Sequence, residues 1–318
     1  METKYVVTKR SAGLGDLLVS LWSAWWYAKH TNRQLVVDWR NSTYDKSNQL
    51  NLLDDILETP QEIDGVQLNG DLSKLSSLIP HQFYPLFWNS ENLHMGAWEM
   101  PQLRKDQEDL VKNCRDKSQQ VVIFSECLAN LIPKPKQEKR FFKQLTFKSK
   151  WVQVANDFAD IKFENKPVIG LHVRHGNGEN IMGHTPYWEE VNQSLSFCCQ
   201  LLEKCKTLYA KKPYVIYLAT DSVVVEQEIL SLFPETIVYP KQHRKPGSGA
   251  LHRENNDPKA LQNSLIEMLL LAKSELLIRF PPGSFFTHYA SIVKPNSNRY
   301  SAELERFCEP RLRPKVVF

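Results

Sequence analysis

The sequence predicts an α/β protein of two domains, the second of them Rossmann-like. Three apolar runs in the second half, "KPVIGLHVRHG" (166–176), "PYVIYLATDS" (213–222) and "ELLIRFPPGS" (275–284), each end in a polar loop followed by a helical pattern. They are continuous rather than alternating, so the strands are covered on both faces, as in a parallel sheet built from βα repeats. The first half also opens on strand, turn and helix, and 318 residues at 42% hydrophobic content are enough for two ordinary cores.

In chain order, "KYVVTK" (4–9) is a short β-branched strand, "SAGLGD" (11–16) a glycine turn, and "LLVSLWSAWWYAKHT" (17–31) has helical spacing. "QLVVDW" (34–39) and "QVVIFSE" (120–126) are further strands. Between them Pro80, Pro85 and Pro101 argue for loops, and the order of elements there stays open. The basic, proline-bearing "IPKPKQEKR" (132–140) is the expected boundary, dividing 1–140 from 141–318. Beyond it, helices are expected over roughly 188–210, 223–233, 258–274 and 284–293.

Composition removes several classes. A net charge of +4 from 40 basic and 36 acidic residues lacks the basic stripe of a phosphate-backbone binder, so nucleic acid is not an expected partner. "METKYVVTKR" has no signal-peptide core, and "LLVSLWSAWWYA" is too short to cross a bilayer, so no membrane span and a cytoplasmic location are expected. The six cysteines, Cys114, Cys127, Cys198, Cys199, Cys205 and Cys308, form no CxxC pair and read as reduced structural thiols.

Ligands of such sheets sit beyond the carboxyl ends of the strands, where the three polar loops lie. His172 and His175 are three apart and point to opposite faces of a strand, which makes a poor chelate; no metal is expected. His172 and Arg174 share one face, and the glycines after them admit a ligand close to the backbone. Arg174 there suits a phosphate, or else a structural ion pair. Asp221 and Ser222 suit a ribose contact or a helix cap, and Ser284 is placed as the N-cap of a helix whose free amides attract anions. Gly13 and Gly15 of "SAGLGD" suit a ligand loop or a plain turn, with Asp16 a candidate cap; the missing third glycine speaks against a dinucleotide oxidoreductase. Glu267 interrupts an apolar helix. Facing inward it needs a donor, which the N1 and N2 hydrogens of guanine would supply. Three loops with anion-compatible chemistry at one sheet edge favour a nucleotide or nucleotide-sugar.

"HVRHGNGE", "HTPYW", "TDS", "IRFPP" with "FTHYA", and the N-terminal "GLGD" with "SAWWYAKHTNRQLVVDWR" resemble the NodZ-type nodulation α1,6-fucosyltransferases and, more distantly, core α1,6- and protein O-fucosyltransferases. The resemblance implies a glycosyltransferase of GT-B type, with two Rossmann-like domains facing a cleft, the first on the acceptor side and the second binding GDP-fucose, the last residues packing back on the first domain. It implies transfer of L-fucose with inversion and without a metal or other cofactor, to O6 of an N-acetylglucosamine in an oligosaccharide. Arg174 then matches the diphosphate-binding arginine, His172 and Glu267 a guanine-reading pair, and Asp221 a nucleoside-binding acid. Gly283, Ser284 and Phe285 match the phosphate loop, and Gly13, Gly15, His175, Asn177, Ser222 and Pro282 complete the donor-binding set. Glu179 is the expected base, ahead of Asp16. Asn180 stands where the family pattern carries an acid, and Glu267 where it often carries aspartate. The rival readings are a transferase using a UDP-sugar and a non-catalytic sugar-nucleotide or glycan-binding protein.

Overall fold

The computed structural model describes residues 3–45, 49–75, 78–97, 101–132, 134–174, 185–210, 212–243, 258–280, 283–295 and 315–317. The chain divides into two compact units, Met1–Ser149 with Glu254–Gln262, and Lys150–Arg253 with Asn263–Phe318.

In the first unit, β1 (Tyr5–Thr8) leads to α1 (Leu14–Thr31) and β2 (Gln34–Val37). After them come α2 (Leu53–Ile56), β3 (Gln61–Ile63), β4 (Val66–Asn69), β5 (Phe83–Tyr84), α3 (Pro101–Asn113), β6 (Val121–Phe124) and α4 (Pro135–Gln144). The sheet runs β3-β4-β2-β1-β6-β5, parallel except that β3 pairs antiparallel with β4. Tyr5 and Val7 face a core with Trp88 and Phe83, while on the alternate face Thr8 Oγ1 lies 3.2 Å from Ser20 Oγ of α1. Within α1, Trp22 stacks on Trp25 with ring centroids 5.2 Å apart. The helix ends at Asn32, whose left-handed backbone (φ 53°) an asparagine tolerates.

Three expectations change in this unit. The helix starts at Leu14 with Gly13 as its extended N-cap, so Gly15 and Asp16 belong to the first helical turn and Asp16 is not the cap. Pro101 opens α3 instead of a loop, since the first position of a helix needs no amide hydrogen. The stretch expected as a linker largely forms α4, its basic residues on the outer side and Phe141 and Phe142 buried. The Phe141 ring sits 5.5 Å from Trp22 and 5.0 Å from Trp25, which ties this helix to the first core.

The second unit continues with α5 (Ser149–Phe163), β7 (Val168–Val173), α6 (Thr185–Tyr209), β8 (Val215–Thr220), α7 (Val223–Leu232) and β9 (Thr236–Val238). Then follow α8 (Pro258–Leu271), β10 (Leu276–Phe280), α9 (His288–Val293) and β11 (Lys315–Val317). The order is β11-β10-β7-β8-β9, parallel apart from β11. All residues of β7 and β8 are buried, as expected of strands covered on both faces. Ile169, Leu171 and Val173 pack with α6 and α7, and Val168, Tyr217 and Leu277 with α5 and α8. β11 completes the edge of this sheet, where the expectation had the last residues returning to the first domain.

Candidate functional site

The register of the second sheet brings three predicted loops together. Val173 of β7 is level with Thr220 of β8 and Phe280 of β10, so Arg174, Asp221 and the 283–285 segment all leave the same carboxyl edge. Arg174 continues the ladder, its amide donating to the Phe280 carbonyl at 2.9 Å. His172 is level with Arg279 and Ala219, and residues paired in parallel register share a face. That face is the one α8 covers, and α8 carries Glu267.

His172 is fully buried, its ring stacked on Phe286 at 5.0 Å and 24°, and its Nδ1 has no hydrogen-bond partner among the described residues. Burial, then the charges of Arg174, Lys241 and Arg279, push its pKa down to about 3, so the ring is neutral at physiological pH. Glu267 is buried as well and faces inward, and Lys241 Nζ supplies the donor it requires. Burial raises the pKa of its carboxyl while Lys241 works against that rise. The side chains of this pair are 3% and 7% exposed. Removing either partner would strand a buried charge at a cost of about 3–5 kcal/mol. A second pair lies alongside, His243 Nε2 with Glu226 at 2.8 Å, and this hydrogen bond lowers the Glu226 pKa.

Other expected groups take plainer parts. Ser222 caps α7, its Oγ accepting from the Val225 amide at 3.4 Å. Ser284 precedes a 3₁₀ turn over Phe285–Thr287 and makes no side-chain cap bond; α9 proper starts at His288 and has six residues. The anion-attracting helix end expected there is therefore reduced to a short turn. A Cβ added at Gly283 would meet no described residue within 4 Å, and Phe285 nearby is 37% exposed. His175, Asn177, Glu179 and Pro282 lie outside the described residues.

Gly13 and Gly15 belong to the first unit. There Arg10 is 3.6 Å from Asp16 and 3.7 Å from Glu126, and Arg104 is 3.3 Å from Glu126. Lys9 and Asp38, both buried, pair at 2.7 Å with Arg40 on the same carboxylate. Sequence reasoning missed these clusters, and it missed Lys241, His243 and Arg279. Arg279 had a signal, an arginine within the apolar run "LLIRF"; its buried Nε has no hydrogen-bond partner among the described residues.

The sequence profile of the family described as Nodulation protein Z (NodZ) matches residues 2–304. Nodulation protein Z of Bradyrhizobium diazoefficiens is 32% identical over 295 residues, 92% of this chain and 80% of the relative. The crystal structure of NodZ alpha-1,6-fucosyltransferase soaked with GDP-fucose superposes with a TM-score of 0.73 at 28% identity, covering 92% of this chain and 94% of that one. The same enzyme co-crystallised with GDP gives 0.74 at 28%, over 93% and 94%.

Proposed function

The chain belongs to the nodulation protein Z (NodZ) family, and from that premise we propose that it transfers L-fucose from GDP-β-L-fucose to O6 of an N-acetylglucosamine residue in an oligosaccharide such as a chitooligosaccharide. One observation carries the reading: Arg174, Arg279 and Lys241 surround the buried, neutral His172 at the carboxyl edge of the second sheet, with Glu267 on the same face. The guanidinium groups of Arg174 and Arg279 on a water-poor face suit a diphosphate, and the neutral imidazole with the Lys241–Glu267 pair suits a base edge.

The acceptor oxygen attacks C1 of the fucose as the bond from C1 to the β-phosphate oxygen breaks. The configuration inverts, the proton passes to a base, and negative charge gathers on the departing GDP. Arg174 meets that charge. Glu179 takes the proton in this reading, with Asp16, paired with Arg10, as the second candidate. Protein cations supply the charge compensation, so transfer needs no metal. A cytoplasmic setting fits the thiol state of the five described cysteines. The test is transfer of radiolabelled fucose from GDP-fucose to chitooligosaccharides, with and without excess EDTA, and linkage analysis of the product. An α1,6-fucosylated product at an unchanged rate in EDTA is expected. Activity that EDTA abolishes and Mg²⁺ or Mn²⁺ restores overturns metal independence; transfer from a UDP-sugar alone overturns the donor.

A further inference from the structure

Lys241 stands just past the carboxyl end of β9, two strands from His172. Among the described residues, Glu267 is the one acceptor for its ammonium, which leaves two of its three hydrogens without a described partner in a side chain only 3% exposed. Its charge also reaches His172, whose Nδ1 is likewise without a described partner. A buried ammonium, a buried carboxylate and an unsatisfied buried imidazole thus sit together, with spare hydrogen-bonding capacity on each.

We propose that Lys241 is a specificity-determining residue that donates to O6 of the guanine base while Glu267 accepts from its N1 and N2 hydrogens. This rests on the guanine-nucleotide reading above and deepens it. The pairing edge of guanine runs acceptor, donor, donor, and an ammonium lying against a carboxylate presents the complementary series. Adenine places a donor where guanine has O6 and would turn its amino group toward the ammonium. Uracil matches at O4 and N3 but turns its O2 toward the carboxylate. Without a ligand the two side chains neutralise each other, as buried charges must. Base binding need not break that contact, because the ammonium has hydrogens to spare and the carboxylate has further lone pairs. Rejection of the wrong base then comes from leaving these dry polar groups unpaired.

The test is calorimetry of the full chain with GDP, ADP, UDP, pyrophosphate and 6-thioguanosine diphosphate, which keeps the N1 and N2 hydrogens and replaces O6 by sulfur, a weak acceptor. A hydrogen bond from a charged donor corresponds to about 10- to 100-fold in affinity. The wild-type protein is expected to bind the 6-thio nucleotide weaker than GDP by up to about that factor. Lys241→Met is expected to weaken GDP more than it weakens the 6-thio nucleotide, closing most of that gap, and to leave pyrophosphate unchanged. Equal weakening of both nucleotides by Lys241→Met would reduce Lys241 to a support for Glu267 and overturn the proposal. Equal wild-type affinity for GDP and the 6-thio nucleotide, with ADP and UDP still rejected, overturns it without any variant. If ADP or UDP binds as tightly as GDP, the guanine reading itself fails and the proposal falls with it.

Discussion

Arg174 is the residue from which most of the chemistry follows. Its guanidinium can hold two phosphate oxygens in one plane, and the charge it meets grows as the glycosidic bond to GDP breaks, so its contribution is larger in the transition state than in the bound donor. Arg174→Lys is expected to keep the fold and GDP binding yet lose at least about 10²-fold in turnover, and Arg174→Ala to be inactive; thermal denaturation, GDP calorimetry and a transfer assay on the three proteins check this. His172 makes a separate prediction about stability. In the unfolded chain it takes up a proton near pH 6.5, whereas in the folded protein, buried and facing Arg174, Lys241 and Arg279, it does so only near pH 3. Below pH 6.5 the unfolded state therefore binds more protons, and stability falls as pH falls through that window. By about pH 4.5 the loss from this residue is on the order of 2–3 kcal/mol. In urea titrations at pH 7 and 4.5, His172→Gln should lose less stability on acidification than the wild-type protein does.

Among the elements, β7 shows how tightly the site is built into its surroundings. A Cβ on Gly170 would come 2.7 Å from Oγ of Ser274, in the turn that joins α8 to β10, and 3.2 Å from a methyl of Leu277 in β10 itself. Gly170→Ala is expected to cost about 1–3 kcal/mol by overpacking and, by displacing the end of the helix that carries Glu267, to weaken GDP; denaturant unfolding and calorimetry measure both. The long buried strands were legible in the sequence because β7, β8 and β10 are continuous apolar runs covered on both faces. β9 was not, since its three residues sit at a sheet edge and are mostly half-buried, and with it went Lys241. No local pattern ties Lys241 to Glu267; the contact exists only once β9 and α8 share a face. α4 was misread because the lysines of its outer side mask the two phenylalanines that anchor it. Arg174 and His172 were legible because strand alternation alone puts them together. The capping role of Ser222 was one of the two readings its residue type offered, and the structure shows it, whereas the shortness of the turn after Ser284 depended on backbone geometry that residue types do not encode.

At the scale of the whole molecule, each unit has its own sheet and core, and aromatic residues are shared out unevenly between them. Six of the eight tryptophans belong to the first unit, among them the buried Trp22, Trp25, Trp26, Trp39 and Trp88, while the second holds Trp151, half-buried, and Trp188 of α6. Indole emission is therefore chiefly a gauge of the half that does not carry the Arg174 edge, with the stacked Trp22 and Trp25 at its centre. A urea titration followed by tryptophan fluorescence will report the melting of that half, whereas far-ultraviolet circular dichroism sums both. Superimposable curves would mean that the two halves melt as one cooperative body, and GDP would then shift both signals together. Separated curves would let GDP move the dichroism midpoint while the fluorescence midpoint stays in place, so the unlabelled protein carries an optical probe that tells which half a nucleotide stabilises.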